Sequence, residues 1–249
     1  MNLFSLILGV GGSIALLRLL QQSPAAQRFR WLTAGIISLA GAILGARIGF
    51  AAAYHTYFST HMQEISRITL GGMSWPGALA GFIFFACIAL PVFRLHFLEG
   101  LDRLSRMPLP MAVAVWLGAW QAGIGFGQLL PSGTWWGVML HDESGLTALR
   151  VPVQPAAVVS LLLVLGLIEW LMRQVKKEGL KAGVTFFVLS LHSLLFSFMR
   201  YDSVESIYGF RLDTWAAMFF SAFACLFLAI ILIKKKKPII TQEIDGVTP

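Results

Sequence analysis

Long runs of apolar residues recur along the chain, and each run is about as long as a helix that crosses a membrane. A spanning helix needs about 20 mostly apolar residues, and seven segments of the chain meet this requirement. They lie at about residues 2–20, 32–54, 69–93, 107–130, 152–172, 182–199 and 213–233. The pattern predicts an all-α polytopic membrane protein with one seven-helix domain over residues 1–237 and a polar tail at 238–249.

The basic residues are distributed unevenly between the two sides of this arrangement. One side carries Arg18, Arg28, Arg30, Arg94, Arg103, Arg106, Arg173, Lys176, Lys177, Lys181 and Lys234 to Lys237. The other side carries Arg67, Arg150, Arg200 and Arg211. Because Lys and Arg collect in cytoplasmic loops, we expect the N-terminus outside and the C-terminus and its tail in the cytoplasm. The expected location is the bacterial inner (plasma) membrane, with multiple passes.

The composition agrees with this class of protein. Of all residues, 57% are hydrophobic and 12% are charged, whereas a soluble domain carries roughly 25% charged residues. Basic cytoplasmic loops account for the net charge of +7, so the charge does not require a nucleic acid partner. Cys87 and Cys225 lie in apolar runs without the spacing of a metal site. We therefore expect neither a metal nor a cofactor.

The second and third predicted helices carry features that indicate close internal packing. Arg47 lies inside the second helix, where a charge usually faces the bundle interior or a wet cavity, although its side chain could also reach the outer interface. Gly41, Gly45 and Gly49 form a row that allows two helices to approach closely. Pro76 predicts a bent or broken third helix near its outer end.

Polar and aromatic side chains gather near the outer ends of the predicted helices. They include Tyr54, His55, Ser74, Trp75, Gln121, Gln128, Trp135, Trp136, His141, Gln154, Arg200, Tyr201 and Asp202. A plain interfacial belt would have a similar composition. The alternative is a binding site, because Arg47 and Arg200 together could hold the phosphate of an outer-leaflet phospholipid. His55 and His141 are candidate bases, although a single loop histidine is more often only solvated.

Two titratable residues of the later helices have simpler interpretations. His192 lies midway along the sixth predicted helix, and we expect a core histidine bonded to a neighbouring helix. Glu169 lies four residues before Arg173, which predicts a surface ion pair on one helix.

Four stretches resemble the motifs of one enzyme family, in the same order along the chain. Residues 45–50 (Gly-Ala-Arg-Ile-Gly-Phe) resemble Gly-Ala-Arg-Leu-Gly-Tyr, and residues 71–81 resemble Gly-Gly-Met-Ser-Phe-His-Gly-Gly-Leu-Ile-Gly. Residues 150–154 (Arg-Val-Pro-Val-Gln) are similar to Arg-His-Pro-Ser-Gln, and residues 198–200 (Phe-Met-Arg) are similar to Phe-Phe-Arg. The family is that of the prolipoprotein diacylglyceryl transferases, which move diacylglycerol from phosphatidylglycerol onto a lipoprotein cysteine.

Several members of the family's catalytic set are absent from the matching positions. The catalytic His of the Ser-Phe-His motif corresponds to Pro76, and the His of Arg-His-Pro-Ser-Gln corresponds to Val151. The essential Arg of a further motif corresponds to Gly123, and the first Asn of that motif corresponds to Phe126. The retained positions are Arg47, Gln154 and Arg200.

The resemblance implies a protein that keeps the family's fold and binds a phosphatidylglycerol-type lipid at the outer face, with the catalytic residues largely lost. The expected headgroup site consists of Arg47, Arg200, Gln154, Tyr54 and Ser74, and the candidate catalytic residues are Arg200, His55 and His141. Two alternatives stay open. One is an active transferase with a rearranged site, which would take a prolipoprotein as its second substrate. The other is an accessory structural subunit that binds another membrane protein.

Overall fold

The structure is a computed structural model that describes residues 3–67, 72–202, 204 and 206–233. Its helices are α1 (Leu3–Gln21), α2 (Arg28–Ala53), α3 (His55–Phe58), α4 (Trp75–Val92), α5 (Phe97–Leu104), α6 (Pro108–Gln121), α7 (Val153–Leu171), α8 (Leu180–Ser197) and α9 (Leu212–Ile233). Two antiparallel hairpins pair β1 (Val138–His141) with β2 (Thr147–Arg150) and β3 (Ser206–Ile207) with β4 (Phe210–Arg211). The predicted tail at 238–249 and the lysine run before it lie outside the described residues.

Six helices of the described ranges are long and apolar enough to cross a membrane. They are α1, α2 with the turn before it (Ala25–Ala53), α4, α7 with the turn after it (Val153–Gln174), α8 and α9. Their outward side chains are apolar, and Phe84, Leu163 and Phe219 are each 62% to 66% exposed. An apolar surface of this extent suits lipid and not water. The chain is therefore a predominantly helical, polytopic membrane protein.

The fourth predicted segment, 107–130, is helical over only its first part. The helix α6 has 14 residues and is about 21 Å long at 1.5 Å per residue, which is less than the thickness of the hydrocarbon core. Gly123 and Gly125 follow it with φ angles of +67° and +70°, a conformation that suits glycine and ends the helix. Seven complete spans are therefore a prediction that the structure does not confirm.

The helices α2 and α4 cross in direct backbone contact. A Cβ atom added to Gly45 would lie 2.3 Å from the carbonyl oxygen of Gly77, and one added to Gly81 would lie 2.1 Å from that of Gly41. Such distances leave room for a hydrogen atom but not for a methyl group. The close packing predicted for the glycine row is confirmed.

Pro76 lies in the first turn of α4 and does not bend the described helix. Ser74 is the N-cap of α4, and its Oγ accepts a hydrogen bond from the backbone N–H of Gly77 at 3.4 Å. Proline suits the first turn of a helix, where its missing N–H would have no helical partner. The chain therefore starts a helix at the point where the sequence predicts a bend or break, and residues 69–71 of the predicted segment lie outside the described residues.

The two ends of the bundle differ in structure. We name one end the hairpin face: it consists of both β-hairpins, the α2–α4 loop and residues 122–137. Backbone bridges join Gly127 to Arg200 and Leu129 to Arg150, so this loop links β2 to the segment after α8. We name the opposite end the basic face: it consists of the α1–α2 loop, α5, the start of α6 and the α7–α8 loop. That the hairpin face is the outer one stays a prediction.

Candidate functional site

The guanidinium group of Arg47 organises the loop between α2 and α4. Its Nε donates a hydrogen bond to the carbonyl oxygen of Ile65 at 2.9 Å, and its Nη1 donates to that of Gly72 at 3.2 Å. Nη2 donates to the carbonyl of Glu64, and the guanidinium carbon lies 5.3 Å from the ring centroid of Phe58. The side chain is only 5% exposed. Arg47 therefore faces the protein interior, and its donors hold a loop in place.

Arg200 lies in a four-residue ionic network on the hairpin face. Its Nε and Nη2 donate to the two carboxylate oxygens of Asp202, and its Nη1 donates to Asp213 at 2.9 Å. Arg211 contacts both of the same carboxylates. Burial raises the pKa of the Asp202 carboxyl, but the hydrogen bond and charge of Arg200, with the charge of Arg211, have the larger effect and hold it below its usual value. Two arginines and two aspartates thus compensate one another.

Arg150 is a further buried cation of this face, and it is absent from the candidates that sequence reasoning identified. It is 4% exposed, its Nη2 donates to Asp142 at 2.9 Å, and its guanidinium carbon lies 4.4 Å from the ring centroid of Phe126. Asp142 also accepts bonds from the hydroxyl and N–H of Ser144 and from the N–H of Leu146, and these bonds lower its pKa. The sequence carries one signal for this contact, which is the acidic residue Asp142 in the hairpin turn eight residues before Arg150.

Gln154 joins Arg150 and Arg200 around the glycine-rich loop at residues 123–127. Gln154 is fully buried, and its Nε2 donates to the carbonyl of Ile124 at 3.1 Å. Its Oε1 and the Nε of Arg150 are buried without a hydrogen-bond partner within the described ranges. Buried polar atoms of this kind are usually satisfied by a water molecule or a ligand. A shallow cavity of about 210 Å³ adjoins the loop and is lined by Phe126, Asp142, Glu143 and Ser144.

The position of Gly123 is closed to a larger side chain. A Cβ atom at Gly123 would lie 2.6 Å from the carbonyl oxygen of Asp142 and 3.0 Å from Cδ2 of His141. The backbone there has a φ of +67°, which L side chains rarely adopt. The fold in this region therefore requires a residue without a side chain. This is the position at which the family that the chain resembles carries its Arg.

The other candidates lie at the α2–α4 side of the hairpin face. The ring of Tyr54 lies 4.6 Å from that of Phe50, and Ser74 caps α4. His55 lines an apolar groove of about 410 Å³. The groove is lined by Ile48, Ala51, Ala52, His55, Phe58, Ser59, Met62 and Ile65. The structure thus places Arg47, Tyr54, Ser74 and His55 around one end of α2, and it places Arg200 and Gln154 around the glycine-rich loop.

Two further histidines, His141 and His192, have partners that suit structural roles. His141 is exposed, and its Nε2 lies 3.1 Å from the carbonyl oxygen of Gln121. His192 is buried in α8, and its Nε2 lies 2.8 Å from the hydroxyl of Ser160 in α7. The sequence prediction of a core histidine bonded to a neighbouring helix is therefore confirmed.

The chain is similar to one family and to one curated relative. The model of the family described as prolipoprotein diacylglyceryl transferase matches residues 2–232. A phosphatidylglycerol–prolipoprotein diacylglyceryl transferase of Cupriavidus metallidurans is 29% identical over 163 residues, which cover 64% of this chain and 59% of the relative. The matched part of the chain thus spans less than two thirds of the relative's length.

Proposed function

Because the chain belongs to the prolipoprotein diacylglyceryl transferase family, we propose that it binds a phosphatidylglycerol-type phospholipid at the hairpin face but does not transfer its diacylglyceryl group. One observation carries the second part of this proposal. The guanidinium groups of Arg47, Arg150 and Arg200 already donate hydrogen bonds to protein oxygens, and those of Arg150 and Arg200 are paired with carboxylates.

The family reaction explains why these internal pairs matter. A cysteine thiol attacks a glycerol carbon of the lipid, the carbon–oxygen bond to the phosphate breaks, and glycerol phosphate leaves. The thiol must lose its proton to a base, and the departing phosphate must be stabilised by cations. Loss of one such stabilising group costs about 10²–10³ in rate. With Pro76 and Gly123 in place of the family's His and Arg, and with Arg200 neutralised by Asp202 and Asp213, we expect no transfer.

The groove beside α2 supports the lipid-binding part of the proposal. Its lining is mostly apolar and its volume of about 410 Å³ is large enough for part of an acyl chain. The guanidinium group of Arg47 lies over Phe58, one of the lining residues, and therefore places a positive charge beside the groove. Tyr54 and Ser74 lie at the same end of α2 and supply hydroxyl groups for a phosphate.

An active transferase with a rearranged site is the second candidate, because one observation favours it. His141 lies next to Gly123, within 3.0 Å of where a Cβ atom would be, so an imidazole lies beside the position of the family's Arg. A relocated base of this kind would accept the thiol proton. It would still require a cation for the phosphate, and the guanidinium groups of Arg150 and Arg200 are already paired with carboxylates.

Filling the groove tests the lipid-binding proposal. We expect the purified wild-type protein to retain phosphatidylglycerol, identified by mass spectrometry of the extracted lipids, and the Ala51→Trp variant to lose most of it. The indole would occupy the space that we assign to an acyl chain. The control is Ala80→Trp, because Ala80 is exposed on α4 and lies outside the groove lining. Equal retention by Ala51→Trp and the wild type would contradict the assignment of the groove.

Restoring the family's arginine should fail because the structure lacks space for it. We expect Gly123→Arg to lower the thermal midpoint sharply and to produce no transferase activity, since the new side chain would collide with the backbone of Asp142. The control is Gly133→Arg, where φ is also positive but no atom lies within 4 Å. That variant should show only the backbone strain, of about 1–3 kcal/mol. Transferase activity gained by Gly123→Arg would support the rearranged enzyme instead.

A further inference from the structure

Arg106, two residues before the start of α6, has a buried donor that no group of the described residues satisfies. Its Nη1 is buried and has no hydrogen-bond partner in the part of the chain that the structure describes. The residue lies on the basic face, on the opposite side of the bundle from the proposed lipid groove. Buried donors without a partner are rare and usually indicate a bound water or ion.

The neighbouring carboxylates are already engaged by other groups. Glu169 pairs with Arg18 across α1 and α7, so the ion pair with Arg173 that the sequence predicts is wrong. The sequence could not reveal this contact because the two helices are far apart along the chain. Glu169 is therefore used as an acceptor by a cation from another helix.

The other acidic groups of this corner are also occupied. Glu99 accepts two hydrogen bonds from Arg103, at 2.7 and 2.9 Å. The two carboxylate oxygens of Asp102 accept the backbone N–H groups of Gly179 and Ala182, each at 2.8 Å. Asp102 thus caps the start of α8. Within the described ranges, these carboxylates leave the guanidinium group of Arg106 without a hydrogen-bonded anion.

The unsatisfied groups of this corner are donors, which indicates that the missing partner is an acceptor. The indole Nε1 of Trp31 is also buried without a partner among the described residues, and the guanidinium carbon of Arg103 lies 5.1 Å from the Trp31 ring centroid. Burial lowers the pKa of Arg106, the charge of Glu169 raises it, and the charges of Arg103 and Arg18 lower it further. The net lowering means that the protein does not fully compensate the charge of Arg106.

We propose that Arg106 binds a phosphate-type anion on the basic face. A planar guanidinium group suits the bidentate recognition of phosphate oxygens, and Arg106 lies at an end of the helical bundle, which is where lipid headgroups are expected. The phosphate belongs either to a phospholipid of that leaflet or to free inorganic phosphate. This site is separate from the groove beside α2, and it does not depend on the proposed function.

The test is a binding titration with both sources of phosphate. The purified full chain, in a zwitterionic detergent, is titrated with inorganic phosphate in one arm and with phosphatidylglycerol in the other, and bound anion is measured by native mass spectrometry and by the shift in thermal midpoint. We expect Arg106→Gln to weaken binding by about tenfold or more. Arg106→Lys should give an intermediate loss, since it keeps the charge but not the planar donor pair.

The matched control is Arg30→Gln, which removes the same charge from an exposed position on the same face. It should bind as the wild type does. Without added anion, Arg106→Gln should be at least as stable as the wild type, which shows that the variant folds. Binding of phosphatidylglycerol alone identifies the lipid as the source, and binding of inorganic phosphate identifies the free anion. Repeating the titration with Ala51→Trp separates this site from the groove. Equal binding by Arg106→Gln and the wild type in both arms would overturn the proposal.

Discussion

Replacement of Gly81 by valine should prevent normal assembly of the membrane bundle, with a loss of more than about 3 kcal/mol in the free energy of unfolding. A Cβ atom there would lie 2.1 Å from the carbonyl oxygen of Gly41. The obstacle is helix backbone, so a rotamer change cannot relieve it and α2 and α4 must separate. In a membrane this costs packing along the whole helix pair, because close contact between helices is the main source of their association.

The measurement for this variant is the thermal midpoint and the elution profile in detergent. The control is Gly166→Val, because Gly166 is also helical but no atom lies within 4 Å of its added Cβ. Both variants carry the same β-branched side chain, so helix propensity affects them equally. If the two variants melted at the same temperature, the close crossing of α2 and α4 would not be a major source of stability.

Replacement of Asp202 by asparagine should destabilise the hairpin face by about 3–5 kcal/mol, since it leaves a buried charge without its partner. Asp202 is 4% exposed and accepts hydrogen bonds from both Arg200 and Arg211. Without the carboxylate of Asp202, Arg200 and Arg211 would share Asp213 as their one acidic partner among the described residues. The two cations would then repel each other at close range.

Thermal denaturation of three variants checks this prediction. Glu143→Gln is the control, since it removes the same charge from an exposed residue of the same face and should change the stability little. The double variant Asp202→Asn with Arg211→Gln should recover part of the loss, because it removes one of the two cations that would otherwise share Asp213. A single variant as stable as Glu143→Gln would show that the ionic network contributes little.

Much of the fold follows from local features of the sequence. Apolar runs of sufficient length predict α1, α2, α4, α7, α8 and α9, because a helix satisfies its own backbone groups within the membrane. The glycine row predicts that α2 packs closely against another helix, and the structure identifies that helix as α4. The burial of Arg47 follows from the cost of a charge in lipid.

Other features depend on contacts that the order of residues does not reveal. The hydropathy of a residue is the same whether it lies in a helix or in an irregular loop. The apolar residues from Gly123 to Gly127 therefore extend the predicted helix beyond the end of α6. The prediction that Arg200 binds a headgroup treats it as a single cation. Whether its guanidinium group is available to a ligand depends also on Asp213, which lies 13 residues further along the chain in α9.

The headgroup assignments of Arg47, Arg200, Gln154, Tyr54 and Ser74 stay predictions, as do the catalytic candidates His55 and His141. The structure adds a physical criterion to them. A guanidinium group whose donors are already bonded to protein oxygens has fewer donors left for a phosphate, and this applies to Arg47 and Arg200. At Gln154 the buried atom without a partner among the described residues is the amide oxygen Oε1, which accepts hydrogen bonds and therefore suits a donor such as a water molecule or a hydroxyl group, not a phosphate oxygen.

The measurement that tests the central claim most directly is a lipidation assay with the purified full chain. The protein is incubated in liposomes that contain phosphatidylglycerol and a prolipoprotein reporter, and the mass of the reporter is followed over time. The preparation is the one in which bound phospholipid is detected, so that its folding is established. We predict no gain of a diacylglyceryl group above the rate without protein. A time-dependent gain that Arg200→Ala abolishes would contradict the account and would establish a working transferase with a rearranged site.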